Sequence, residues 1–131
     1  MADLNLLAVG VSVVVAFVIS STWYAIFGDQ MAILHGTEVV GSGSPPVWKI
    51  AVEGVRSAVV AFAIAWGVSR FGLTDLRSAL ALAFVLWVAF PVVLLAGSVI
   101  WEDVPTKLAA IHAGDWLVKL LAVTTIVGLY P

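Results

Sequence analysis

From Ala79 to Val99 the chain carries no charged side chain, and its apolar residues surround the helix axis instead of lining one face of it. A helix in a water-soluble bundle keeps a polar face for solvent, so a run that is apolar all round belongs in a large core or in lipid. Three further runs resemble it. The segments 5–27, 47–69, 76–100 and 107–129 each reach the roughly 20 mostly apolar residues that a bilayer crossing needs. With 63% hydrophobic and 11% charged residues and a mean hydropathy of +1.14, the natural solvent of this surface is lipid. The expectation is an all-α polytopic membrane protein with four transmembrane helices in a bundle and short loops. The apolar runs take up most of the 131 residues and leave no room for a separate soluble domain, so residues 1–131 read as a single integral membrane domain.

Other classes fall away on composition. The absence of cysteine excludes disulfides, thiol redox chemistry and thiolate-bound zinc. A formal charge of −2, with no basic run, gives nucleic acid nothing to bind. The first run is expected to be retained and not cleaved as a signal, since Met1 to Leu4 holds no Lys or Arg, and the run outlasts a signal core and ends in Trp23 and Tyr24.

The segments between the runs carry turn and cap residues. Ser44, Pro45 and Pro46, after the flexible Gly41-Ser42-Gly43, form a cap and a fixed first turn for the second span. Gly72 closes that span, Thr74 and Asp75 open the third, and Pro105 with Lys107 opens the fourth after the acidic turn Glu102-Asp103. Between the first two spans, Asp29 to Val40 reads as a short interfacial segment with Met31, Ile33 and Leu34 toward lipid and His35 as a solvated loop residue. Trp23, Tyr24, Trp48 and Trp101 fall at the same end of their spans, as an aromatic belt requires. Arg70 and Arg77 occupy the turn at the other end, opposite Asp29, Glu38, Glu102 and Asp103. The positive-inside rule then puts that turn and both termini on the cytoplasmic side of the cytoplasmic membrane.

Ionisable groups inside such spans are candidate functional residues. Lys49, Glu53 and Arg56 share a face of the second span through i, i+4, i+7 spacing; His112, Asp115, Trp116 and Lys119 share one in the fourth. These two spans run parallel. Aligning Lys49 with Lys107 brings Glu53 level with His112 and Arg56 level with Asp115, at roughly 1.5 Å per residue. The depth match predicts an Arg56–Asp115 ion pair and a Glu53–His112 contact in a buried cluster between helices 2 and 4, lined by Trp116, Ser57, Tyr24 and Trp23. Lys119 is left over near mid-membrane, where an unpaired charge costs about 2.5 to 3.5 kcal/mol on the mildest scale. Small-residue rows, Ser12-Ala16-Ser20, Ser57-Ala61-Ala65 and Ala110-Gly114, mark close helix approaches, and Pro91 should kink the third span or free a carbonyl near Trp87.

Three functions suit such a cluster. One is a proton, ion or small-solute pathway, since a carboxylate and a histidine at one depth relay protons. The alternative is a structural device or an assembly subunit of a membrane complex, whose polar faces close against a second copy or another membrane protein. A second alternative is an acid–base enzyme acting on a lipid-like substrate through Asp115 or Glu53, although the balance is against an enzyme. His112, Asp115 and Glu53 lack a second histidine, so neither a metal nor a cofactor is expected.

The run Asn5-Leu6-Leu7-Ala8-Val9 leading into Ser21-Thr22-Trp23-Tyr24-Ala25-Ile26-Phe27-Gly28, then Leu86-Trp87-Val88-Ala89-Phe90-Pro91 and Lys107 to Val118, resembles a small four-span bacterial membrane family, the domain of unknown function 1761. Its specific parts are Trp-Tyr-x-x-Phe-Gly at the end of the first span and the aromatic-Pro pair in the third. The resemblance implies the four-span fold and a bacterial membrane location, and supplies no catalytic residue. Relatives often carry an aromatic-His pair where Asp115-Trp116 stand in this chain.

Overall fold

Each apolar run becomes a helix whose ends are set by recognisable capping chemistry. The computed structural model describes residues 4–34, 46–73 and 75–130. Four helices in it are long and apolar enough to cross a membrane: α1 (Leu6–Leu34), α2 (Val47–Arg70), α3 (Leu76–Trp101) and α4 (Thr106–Leu129). No strand occurs among the described residues.

Asn5 starts α1 by accepting a 3.1 Å bond from Ala8 N–H, and its amide donates at 3.1 Å to the Tyr130 carbonyl just past the end of α4. One side chain thus satisfies an orphan donor of one helix and an orphan acceptor of another. α1 then runs unbroken through Gly28 and Asp29 to Leu34, so the first half of the segment read as interfacial continues the helix. Gly28 and Asp29 lie in a long apolar helix, where a single glycine is tolerated at about 1 kcal/mol. The rest of that segment, with His35 and Glu38, lies outside the described residues, as do the Gly41-Ser42-Gly43 stretch, Ser44, Pro45 and Thr74.

α2 ends in a Schellman motif, with Gly72 at φ +62° and bonds from Gly72 N–H to Ser69 O at 3.2 Å and Leu73 N–H to Val68 O at 3.1 Å. Only glycine takes that left-handed conformation without a Cβ penalty. Asp75 caps α3, its carboxylate accepting from the Ser78 N–H and hydroxyl, both at 3.0 Å. Those two bonds hold the Asp75 carboxyl below its ordinary value of 3.8.

Pro91 leaves its mark on α3 as a π-helical turn over Val88–Val92. Proline has no N–H and crowds the preceding turn, and widening that turn lets the helix continue beyond it to Trp101. Asp103 then turns the chain with φ +55°, a conformation that Asp accepts more readily than most residues, and Pro105 precedes α4.

α4 is the hub, packed against α1, α2 and α3. Its half toward Leu129 sits in an apolar core of Val9, Ala16, Ala61, Ile64, Ala65, Val68, Ala83, Leu120, Val123 and Val127. Alanines at the contacts let the helix axes approach closely: Ala16, Ala61, Ala79 and Ala83 are essentially inaccessible. The outward faces are oily, with Val14, Val55, Val59, Phe84, Val93 and Leu94 all more than half exposed. Lipid is the solvent that suits such a surface.

Candidate functional site

The ionisable groups of α4 run from its start to just past its middle. Nine residues into that helix, Asp115 is 1% exposed and Lys119, one turn further on, is 8% exposed. The i, i+4 spacing places both on one helical face, where Lys119 Nζ lies 3.1 Å from Asp115 Oδ2. The carboxylate's remaining capacity goes to α1: Ser20 Oγ donates to Oδ1 at 2.9 Å and Tyr24 Oη to Oδ2 at 3.2 Å. Tyr24 Oη also lies 2.8 Å from His112 Nδ1. Lys119 Nζ sits 4.1 Å from the centre of the Trp116 ring, within cation–π range. Among the described residues no buried side-chain nitrogen or oxygen lacks a partner.

Two indoles clamp the backbone around this cluster. Trp23 Nε1 of α1 donates to the Ile111 carbonyl at 2.9 Å, and Trp87 Nε1 of α3 donates to the Ala113 carbonyl at 2.8 Å. Gly114 makes room for the first of these. A Cβ built at Gly114 would lie 2.5 Å from Trp23 Cζ2 and 3.0 Å from Cη2, so no larger residue fits unless the indole moves.

This geometry revises the pairing expected from depth. Asp115 takes its counter-charge from Lys119 in its own helix and its hydrogen bonds from α1, not from Arg56 of α2. Arg56 pairs with Glu53 one turn back along α2, with side chains 56% and 42% exposed respectively. Lys119, read as left over, is the ion-pair partner. The physical reason is azimuthal: matching depth is not enough, and α2 presents Ser57, Ala61, Ile64, Ala65 and Val68 to the bundle while its charged stripe lies on the flank. Lys49 stands at the exposed start of α2, its ammonium 5.6 Å from the Trp48 ring centre.

The aromatic belt divides in the same way. Trp48 and Trp101 are exposed, at 65% and 84%, as belt residues should be. Trp23 and Tyr24 turn inward onto α4. In the small-residue rows, Ser12, Ala16, Ser20, Ser57, Ala61 and Ala65 are buried, whereas Ala110 is exposed and Gly114 receives Trp23.

Sequence reasoning missed Ser20 as a ligand of the carboxylate, although it had placed Ser20 at a helix contact. The register is antiparallel: Asn5 lies beside Tyr130 and Ser20 beside Asp115, an equal step forward along α1 and back along α4. Beside Lys119 lies a cleft of about 10 Å³ lined by Ala16, Glu53, Arg56, Ser57, Val60 and Trp116, room for about one water molecule. Among the described residues no three His, Asp or Glu side chains gather as a metal-holding group.

No curated protein and no solved structure matches this chain. A family model does, over residues 7–128, which takes in α2, α3 and all but the end residues of α1 and α4, with the Trp23–Tyr24 pair and the Asp115–Lys119 turn. The chain belongs to the family described as Protein of unknown function (DUF1761).

Proposed function

We propose that this chain is an integral protein of the bacterial cytoplasmic membrane, with its termini and the Arg70–Arg77 turn inside, and that the ionisable stretch of α4 is a proton-exchanging site reached from the outer face. The observation that carries this reading is the unbroken line His112 Nδ1, Tyr24 Oη, Asp115 Oδ2, Lys119 Nζ, with successive separations of 2.8, 3.2 and 3.1 Å. Tyr24 has one proton and two neighbours able to accept it. With Nδ1 protonated, His112 donates to Tyr24, which donates to Asp115; with Nδ1 bare, the phenol turns its proton toward His112. Reversing the line takes a proton on Asp115 as well. His112 passes its Nδ1 proton to Tyr24 as Tyr24 passes its own to Asp115; the protonated carboxyl then donates to Tyr24, which donates to the bare His112 nitrogen, as a relay between two titratable groups requires.

Charge economy favours this over a purely structural clamp. The bonds from Ser20 and Tyr24 need only an acceptor, and an amide would serve, whereas a buried carboxylate with its own lysine carries a desolvation cost of several kcal/mol per ion. Size counts against larger solutes, because the cleft beside Lys119 admits about one water. Beyond Lys119 the path meets Leu120, Val123 and Val127 against Val9, Ile64 and Val68. The line reaches partway across, so release at the far face requires those helices to part.

The assembly-subunit reading has its own support in the complete pairing of the cluster, and the lipid-acting enzyme has less, since the cleft seats no headgroup. Proton flux into liposomes of purified protein separates them, with Tyr24→Phe, Asp115→Asn, Lys119→Met and Glu53→Gln beside the wild type. The relay predicts at least about a tenfold loss for Tyr24→Phe while the helices stay folded. Wild-type liposomes that hold a pH gradient as well as empty ones would overturn it.

A further inference from the structure

α2 carries a Glu–Arg pair on a surface that otherwise suits lipid. Glu53 and Arg56 lie six and nine residues past Val47, about 9 and 14 Å along the axis at 1.5 Å per residue. A helix of 24 residues is about 36 Å long against a hydrocarbon core of about 30 Å, so both groups fall below the hydrocarbon edge. Their side chains are 42% and 56% exposed, and Val52, Val55 and Val59 beside them are exposed too. Among the described residues each charge has the other as its ion partner, and about half of each side chain is left open to the surroundings. The cleft behind them, at about 10 Å³, is too small to take a solute that would cover them.

We propose that this flank of α2 is the two-fold interface of a homodimer, in which Arg56 of each copy pairs with Glu53 of the other while both keep their partner within the helix. The argument is self-complementarity. A two-fold axis along the membrane normal sets identical residues at identical depth, and the surface that meets its own copy must carry both signs. Glu53 and Arg56 differ in height by about 4.5 Å, three residues of helical rise, within reach of an arginine side chain and its fork of donors. The exposed residues Val52, Arg56 and Ala63, spaced by four and seven, form one outward stripe, and Ala63 is small enough for close approach. The second copy also closes the mouth of the cleft beside Lys119 and adds its own Arg56 and Glu53 there. This interface stands apart from the proton reading and does not need it.

The chain has no cysteine, so single cysteines report directly. Val52→Cys and Ala63→Cys should each form a disulfide dimer under mild oxidation in bilayers at low protein-to-lipid ratio, and Leu94→Cys, on the lipid-facing side of α3, should not. Glu53→Arg should weaken dimerisation by at least tenfold, and Glu53→Arg with Arg56→Glu should restore it. Glu53→Gln with Arg56→Gln keeps the shape, should stay helical by circular dichroism, and should lower dimerisation as well. Equal cross-linking at Leu94→Cys, failure of the double reversal to rescue, or a monomer carrying tightly bound anionic lipid in place of a dimer would overturn the proposal.

Discussion

Two ion pairs sit on parallel helices at comparable distances from the helix starts, and they live in opposite surroundings. Asp115–Lys119 on α4 is enclosed by α1, with side chains 2% and 10% exposed; Glu53–Arg56 on α2 stands on the flank at 42% and 56%. Both are local, i to i+4 and i to i+3, because a helix brings such residues together before any tertiary contact forms. Their difference lies in the second layer. The inner pair is held by Ser20, Tyr24 and Trp116, each from a position its own helix fixes; the outer pair has valines and a shallow cleft beside it. Spacing along one helix decides who pairs, and rotation of the helix decides whether the pair is buried.

The sharpest way to break this comparison is to neutralise one member of each pair. Asp115→Asn leaves Lys119 buried without a counter-charge and should cost about 3 to 5 kcal/mol, read as a fall in melting temperature in detergent. Glu53→Gln leaves Arg56 on an open flank, where its long side chain can snorkel toward the membrane surface, and should cost less, below about 2.5 kcal/mol when measured as monomer. Equal effects would mean that the two pairs share one environment.

Gly114 tests the packing around the inner pair. Gly114→Ala drives a methyl into the Trp23 ring and should destabilise by about 1 to 3 kcal/mol, with Trp23→Phe relieving the clash but losing the bond to Ile111. An unaffected Gly114→Ala protein would show that Trp23 does not lie against α4. Removing the hydroxyl at Tyr24 by Tyr24→Phe should cost about 1 to 1.5 kcal/mol, less than the loss of charge at Asp115.

The smallest effect belongs to the turn. Asp75 titrates below its usual value of 3.8 because Ser78 donates to it twice. A depressed pKa in the folded state means that the cap's contribution is present above about pH 4 and fades as pH falls through the folded value. Acidification should therefore lower the melting temperature of the wild type slightly more than that of Asp75→Asn, and parallel curves for the two would remove the cap from the account.

The helices and their ends were legible because length, apolarity and caps are local. Gly72 and Asp75 can be read from two or three neighbours, and Pro91 announces a disturbed turn, though not that the disturbance widens into a π turn. The cluster was legible only as a list of residues. Depth along a helix follows from counting, so Asp115 and Arg56 could be placed level; the rotation of α2 depends on how Ala61 and Ala65 pack, which no spacing rule states. Tyr24 reads both as a belt residue and as a lining residue of the cluster, because its position at the end of an apolar run suits either role. Its inward turn follows from the antiparallel fit of α1 on α4, a tertiary fact.

Infrared difference spectroscopy of the protein in lipid, recorded as the pH is lowered, tests most directly whether Asp115 exchanges protons with the outside. The account predicts a carboxylate-to-carboxylic-acid conversion that disappears in Asp115→Asn and is slowed or shifted in Tyr24→Phe. A wild-type difference spectrum identical to that of Asp115→Asn across the folded range would contradict it and leave the cluster as a fixed clamp between α1 and α4.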